Sequence, residues 1–146
     1  LLLVVLALAL GLASGLQGAT NGSLAGRVGL PNALLLNACV VFAGAVAFWF
    51  ASPRSGTGVG GQPWYLYFGG LYGLTIIAGA AYAFPRLGPG PTTALMVTAQ
   101  LCTALALDHF GWPKEKLPVT PLRLVGALFL VTGAVLVLWP RIFPKA

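Results

Sequence analysis

The polar side chains that could do chemistry in this chain are few, and amides are prominent among them. Ser14, Gln17 and Asn21 are spaced by three and four residues, which puts them on one face of a helix with Gly11 and Gly18 beside them. Thr93, Met96, Gln100 and Thr103 form a similar stripe, and Asn37 stands alone in an apolar run. An amide presents donors and an acceptor without carrying charge. Two such stripes are therefore what a polar cavity would need in order to hold a solute inside an apolar surround. The plainer reading is that the amides bond across helices and hold them together, at about 1 kcal/mol each. The ionisable repertoire is thinner still. Asp108 and Glu115 are the only acids, Glu115 is flanked by Lys114 and Lys116, and His109 is the only histidine. Asp108 and His109 are the candidates for ion coupling, because a coupled cycle needs a group whose charge changes within the membrane. As neighbours on a helix they point about 100° apart, so they do not form a tight dyad, and a helix-end cap meeting water is the simpler role. There is no Ser-His-Asp arrangement, no Cys/His cluster and no phosphate-cradling glycine loop followed by Lys. No catalytic residue, metal site or cofactor is expected, and Cys39 and Cys102, inside apolar runs, read as small apolar side chains.

The elements that must position these residues follow from composition. Of 146 residues, 58% are hydrophobic and 7% charged, against about 25% charged in a soluble domain, and the mean hydropathy is +0.92. Such a surface would not stay in water, so the lipid bilayer takes its place around the perimeter. The net charge of +6 does not point to nucleic acid, because the basic residues stand singly between apolar runs. A single all-α transmembrane domain is expected, with five spans at about 1–24, 32–51, 63–84, 92–107 and 121–139, each judged against the roughly 20 residues needed to cross the hydrocarbon. The first run has the look of a secretory signal, but nothing soluble follows it and no basic n-region is visible in the sequence. The chain opens without Met, so a short N-terminal stretch is expected before it. Pro31 is tolerated at the start of the second helix, and residues 52–63 read as a flexible linker. Trp64, Tyr65 and Tyr67 at one end of the third span, with Tyr82 and Phe84 at the other, match aromatic belts at headgroup level. The run from Pro85 to Pro91 is expected to stop that helix, and Thr120 with Pro121 to start the fifth as N-cap and first helical residue. Gly69-xxx-Gly73, and Gly126 with Gly133, are spaced for close helix packing, within a subunit or across a dimer. Arg86 and Arg123, near span ends, read as snorkelling anchors.

Orientation is undecided by charge. With five spans, Arg54, Lys114, Lys116 and Arg123 fall on one side and Arg27, Arg86, Arg141 and Lys145 on the other. The positive-inside rule then favours neither orientation. Charge on the expected N-terminal stretch tips the balance, or one span boundary lies elsewhere, or copies insert both ways and pair antiparallel. No internal repeat is evident, and an antiparallel pair would supply the inverted repeat on which many transporters are built.

At these motifs the chain resembles the YdcZ family, small bacterial inner-membrane proteins of the drug/metabolite transporter superfamily. The resemblance covers nearly the whole chain. It is carried by Gln17-Gly-Ala-Thr-Asn21 with Arg27 and Gly29, Pro63-Trp64 leading to Gly69-Gly70-Leu71-Tyr72-Gly73, Pro85-Arg86-Leu87-Gly88, Gln100, Asp108-His109-Phe110-Gly111, and Arg123 with Gly126. The Asp-His-Phe-Gly run is its most specific part. Many relatives have Gly-Gln in the fourth span where this chain has Ala99-Gln100, which narrows the space slightly and keeps the amide. The resemblance implies a five-helix subunit like half of a ten-helix transporter, working as an antiparallel homodimer in the bacterial inner membrane. The resulting expectation is an alternating-access exporter of a small polar or amphipathic metabolite. Its substrate site would be lined by Gln17 and Asn21 of both subunits and by Gln100, with Ser14, Thr103 and Tyr72 contributing and Trp64 at the rim. Small multidrug exporters carry a membrane-embedded Glu in the first helix, where this chain has Gln17 and Asn21, so direct proton/cation exchange does not carry over. A passive channel of the same dimeric architecture, a lipid-headgroup flippase and a non-transporting scaffold are the rival readings.

Overall fold

The computed structural model describes residues 2–53, 60–112 and 116–143. Arg54, Lys114, Glu115 and Lys145, and the side chain of Arg141, lie outside the described residues. Five α-helices account for nearly all of the rest: α1 Leu2–Val28, α2 Leu30–Ala51, α3 Gly69–Leu87, α4 Pro89–Phe110 and α5 Pro121–Ile142, with a 3-10 turn at Trp64–Phe68 leading into α3. With that turn counted into the third, all five are long and apolar enough to cross a membrane. A helix of 22 residues, the length of α2, α4 and α5, rises about 33 Å, which matches a hydrocarbon core about 30 Å thick.

The chain falls into two compact units, residues 1–86 with α1, α2 and α3, and residues 87–146 with α4 and α5. In the first, α1 packs along α2; in the second, α4 packs along α5. Their buried residues are mostly small. Among the described residues the buried apolar set is Ala33, Ala80, Ala81, Phe84 and Ala134, while Leu3, Leu8, Phe42, Phe48, Leu122 and Phe129 are exposed. A water-soluble core would invert that pattern. In lipid, acyl chains solvate the large side chains, and helices associate where small residues let their backbones approach.

α1, α3, α4 and α5 run past the ends that hydropathy indicates, and α2 and α4 start before the beginnings it indicates, for local reasons. α1 continues to Val28 and α2 begins at Leu30, so a single residue, Gly29, makes the corner. It does so at φ 84°, ψ 150°. Gly88 repeats the device between α3 and α4 at φ 90°, ψ 156°. This backbone region is open essentially to glycine alone. At each corner the glycine carbonyl accepts from the amide four residues on, Ala33 at 3.1 Å and Thr92 at 3.2 Å, so α2 and α4 start without a side-chain cap. Asn32 then donates from Nδ2 to the Val28 carbonyl at 2.8 Å, satisfying one of the acceptors at the end of α1. Arg27 and Arg86 sit in the last turns before the two corners, where a cation favours the helix dipole. The sequence showed no repeat because the likeness is confined to this Arg-x-Gly corner.

The run from Pro85 was expected to end the third helix, but α3 passes through it to Leu87. A proline two residues from a helix end removes a single hydrogen bond and leaves little helix beyond to disrupt. Pro140 likewise lies inside α5, and the Phe143 amide closes the helix on the Trp139 carbonyl at 2.9 Å. Thr120 is the N-cap of α5, with its hydroxyl accepting from the Arg123 amide at 3.4 Å and Pro121 following.

Candidate functional site

Three helices converge around Asn21, which is buried to 8% exposure on a face of α1 otherwise made of Gly18 and Gly22. The two glycines form a socket for Phe84 of α3. A Cβ added at Gly18 would lie 2.7 and 2.8 Å from Phe84 Cε1 and Cε2 and closer still to Cζ, and one at Gly22 would meet Phe84 Cβ at 3.1 Å and Pro85 Cδ at 3.3 Å. Phe84, read from the sequence as part of an aromatic belt, is instead turned inward at 5% exposure. The Pro85 ring rests on the same socket. The belt at this end consists of Tyr82, over whose ring the Arg86 guanidinium stacks at 3.5 Å while its Nη1 donates to the Tyr82 carbonyl at 2.7 Å.

Asn37 of α2 donates from Nδ2 to Asn21 Oδ1 at 3.2 Å. Both amides lie about 12 Å in from the Gly29 corner at 1.5 Å per residue, so they share a depth within the hydrocarbon. Asn37 has no other side-chain hydrogen bond among the described residues. It also lines a groove between α2 and α3 of about 410 Å³, whose other walls include Leu34, Val41, Phe42, Gly73 and Leu74.

The rest of the first stripe is not used in this way. Ser14 and Gln17 are exposed, and Gln17 makes no side-chain hydrogen bond among the described residues. The helix period explains the difference: Gln17 lies about 100° round from Gly18, at the margin of the face that receives Phe84. On α4, Ala94, Thr98, Leu101, Leu105 and Asp108 are half-buried along the face that carries the contact with α5, whereas Gln100 and Thr103 lie well round the helix and are exposed. Several embedded hydroxyls are satisfied at home: Thr20, Thr75, Thr98 and Thr132 each donate to the carbonyl four residues back, at 2.8 to 2.9 Å. Thr92 differs, since its Oγ1 is buried with no partner among the described residues. Tyr72 is exposed. A Cβ added at Gly69, Gly73, Gly126 or Gly133 would meet nothing within 4 Å among the described residues.

The Asp-His-Phe-Gly segment builds the turn into the α4–α5 hairpin. Gly111, at φ 79°, terminates α4 in the left-handed region, with its amide bonded to the Asp108 carbonyl at 3.2 Å and the Trp112 amide to the Leu107 carbonyl at 3.0 Å. The Leu117 amide returns to the Asp108 carbonyl at 2.9 Å. The Asp108 carboxylate accepts from Arg123 Nη1 on α5 at 3.2 Å, both side chains being 40% exposed. His109 is exposed and stacks edge-on against Phe110. Sequence spacing named both amides of the Asn21–Asn37 pair, but it missed their pairing and the Phe84 socket. Gly18-xxx-Gly22, at the spacing that lets helices approach, was the available signal.

Five apolar spans, a core of alanine and glycine, and amides held at one depth define a multi-pass helical protein of the membrane. The chain belongs to the YdcZ family, whose model, described as "Putative inner membrane exporter, YdcZ", matches residues 2–136. No curated protein and no solved structure matches it. Its place is the inner membrane, and its family is one of exporters.

Proposed function

We propose that the chain is an alternating-access exporter of a small polar or amphipathic metabolite, acting as an antiparallel, dual-topology homodimer. One observation supports this above the others. Gln17 and Gln100 are exposed on spans whose remaining surface is largely apolar, and neither makes a side-chain hydrogen bond among the described residues. A primary amide left against acyl chains costs several kcal/mol, so both amides need either a water-filled passage or a second subunit. An antiparallel dimer supplies both: two copies of the stripe face one interior, in the inverted arrangement that transporters use around a midplane site. The even division of basic residues between the two sides fits insertion in both orientations. Asn21, held by the Asn37 amide, then forms the rigid inner end of the site, with Gln17, Gln100, Ser14 and Thr103 on the solute side and Tyr72 nearby. Asp108, tied to Arg123, and His109 remain the candidates for ion coupling.

Proteoliposomes loaded with a mixture of radiolabelled polar metabolites test the reading. Saturable counterflow of at least one solute is expected, and Gln17→Ala is expected to reduce it at least tenfold while the dimer survives. Flux that neither saturates nor exchanges would make the protein a pore, and flux equal to that of protein-free vesicles would refute transport.

A further inference from the structure

We propose that the groove between α2 and α3 binds an uncharged amphiphile: an apolar chain ending in a single hydrogen-bond donor, such as a primary alcohol, with the donor on Asn37. The site lies within one subunit and does not depend on transport or on a dimer. Its chemistry is unusual for the surface of a membrane helix. The volume, about 410 Å³, falls within the usual range of small-molecule sites. The groove follows α2 from Leu34 to Ala45, about 16 Å at 1.5 Å per residue, the shape of an alkyl chain. A Cβ at Gly70 or Gly73 in the opposite wall would meet nothing within 4 Å, so the space is open on both sides.

Asn37 is the one polar side chain in the lining. One of its two Nδ2 hydrogens is used on Asn21 Oδ1, which fixes the amide plane and leaves Oδ1 as an acceptor beside the second N–H, a pair that one hydroxyl, donating to Oδ1, can meet. A lipid acyl chain would fill the volume but bring no donor, leaving that oxygen unsatisfied in hydrocarbon. No Lys, Arg, His, Asp or Glu lines the groove, so a charged headgroup would find no counter-ion. The occupant that satisfies both walls and the oxygen is long, apolar and neutral, with a hydroxyl at the Leu34 end.

Photolabelling in phosphatidylcholine nanodiscs tests this with two matched probes, an octanol and an octane that each carry a diazirine on the chain. The octanol is expected to label peptides containing Val41, Phe42 and Leu74 saturably, with about fivefold higher affinity than the octane, the effect of one hydrogen bond. Asn37→Leu is expected to bring that ratio to about one. Gly73→Leu, which fills the groove, should cut labelling by both probes about tenfold, whereas Gly79→Leu, on α3 but outside the lining with open space at its Cβ, should leave it unchanged. Should Asn37→Leu fail to fold, competition of octanol labelling by 1-decanol but not by decane reads the same preference. Equal labelling by the two probes in the unaltered protein would overturn the proposal. So would labelling indifferent to Gly73→Leu, and so would labelling present in discs holding one copy and lost in discs holding two, which would assign the groove to a second subunit.

Discussion

Replacing Gly18 by alanine isolates the contact that joins α1 to α3. By helix propensity alone the substitution helps, because alanine is favoured over glycine in a helix by up to about 1 kcal/mol. Gly11→Ala and Gly15→Ala on the same helix, where an added Cβ meets nothing within 4 Å, should show that gain of about 0.5–1 kcal/mol. At Gly18 the new methyl would overlap the Phe84 ring, with Cε1 and Cε2 at 2.7 and 2.8 Å from the Cβ position. The ring is 5% exposed, so relieving the overlap displaces a buried side chain or its helix, at about 1–3 kcal/mol. Gly18→Ala should therefore be less stable than Gly11→Ala by about 1–3 kcal/mol, read from reversible unfolding in mixed micelles titrated with denaturing detergent. Phe84→Ala should remove the penalty, so that the double variant departs from additivity by about 0.5–3 kcal/mol. If Gly18→Ala instead matched Gly11→Ala, with no coupling to Phe84, the socket would not exist in the membrane protein.

Five further substitutions test the same geometry. Gly29→Ala and Gly88→Ala each place a Cβ on a backbone at φ 84° and φ 90°, and each should destabilise the protein by about 1–3 kcal/mol in the same unfolding assay. Thr92→Val removes a buried hydroxyl that has no partner among the described residues and should raise stability by about 1 kcal/mol, seen as a higher melting temperature in detergent. The Asp108–Arg123 pair is 40% exposed at each side chain, so Asp108→Asn should lower stability by no more than about 1 kcal/mol, with a smaller loss in high salt, and Arg123→Gln should do the same without adding to it.

The spans were legible in the sequence because crossing a bilayer demands an apolar run of a given length, and hydropathy measures that directly. Corners are a matter of one φ angle, which hydropathy does not record. Gly29 and Gly88 looked like parts of loops several residues long, yet each joins two helices alone. The prolines around Gly88, which read as a stop for the third helix, fit within its last turn and the first turn of α4, where the lost amide is not needed. The candidate amides were legible as a helical stripe, but a stripe does not say which member is buried. Asn21 is enclosed because Gly18 and Gly22 beside it admit Phe84, while Gln17, one residue from Gly18, falls at the edge. Pairing of Asn21 with Asn37 depends on how α1 and α2 meet at the Gly29 corner, and nothing local encodes it. The Asp-His-Phe-Gly run stood out as specific, and the structure gives two of its members a concrete task, Asp108 in tying the hairpin together and Gly111 in ending α4.

Insertion in both orientations is the claim on which the dimeric exporter rests, and single-cysteine labelling tests it directly. With Cys39 and Cys102, both exposed, replaced by alanine and a cysteine placed at Gly60 in the linker before α3, intact cells are treated with a membrane-impermeant maleimide before and after permeabilisation. Labelling of about half the protein from outside, and of the other half only once the cytoplasm is opened, is the expected result. Labelling confined to a single side would contradict the antiparallel homodimer.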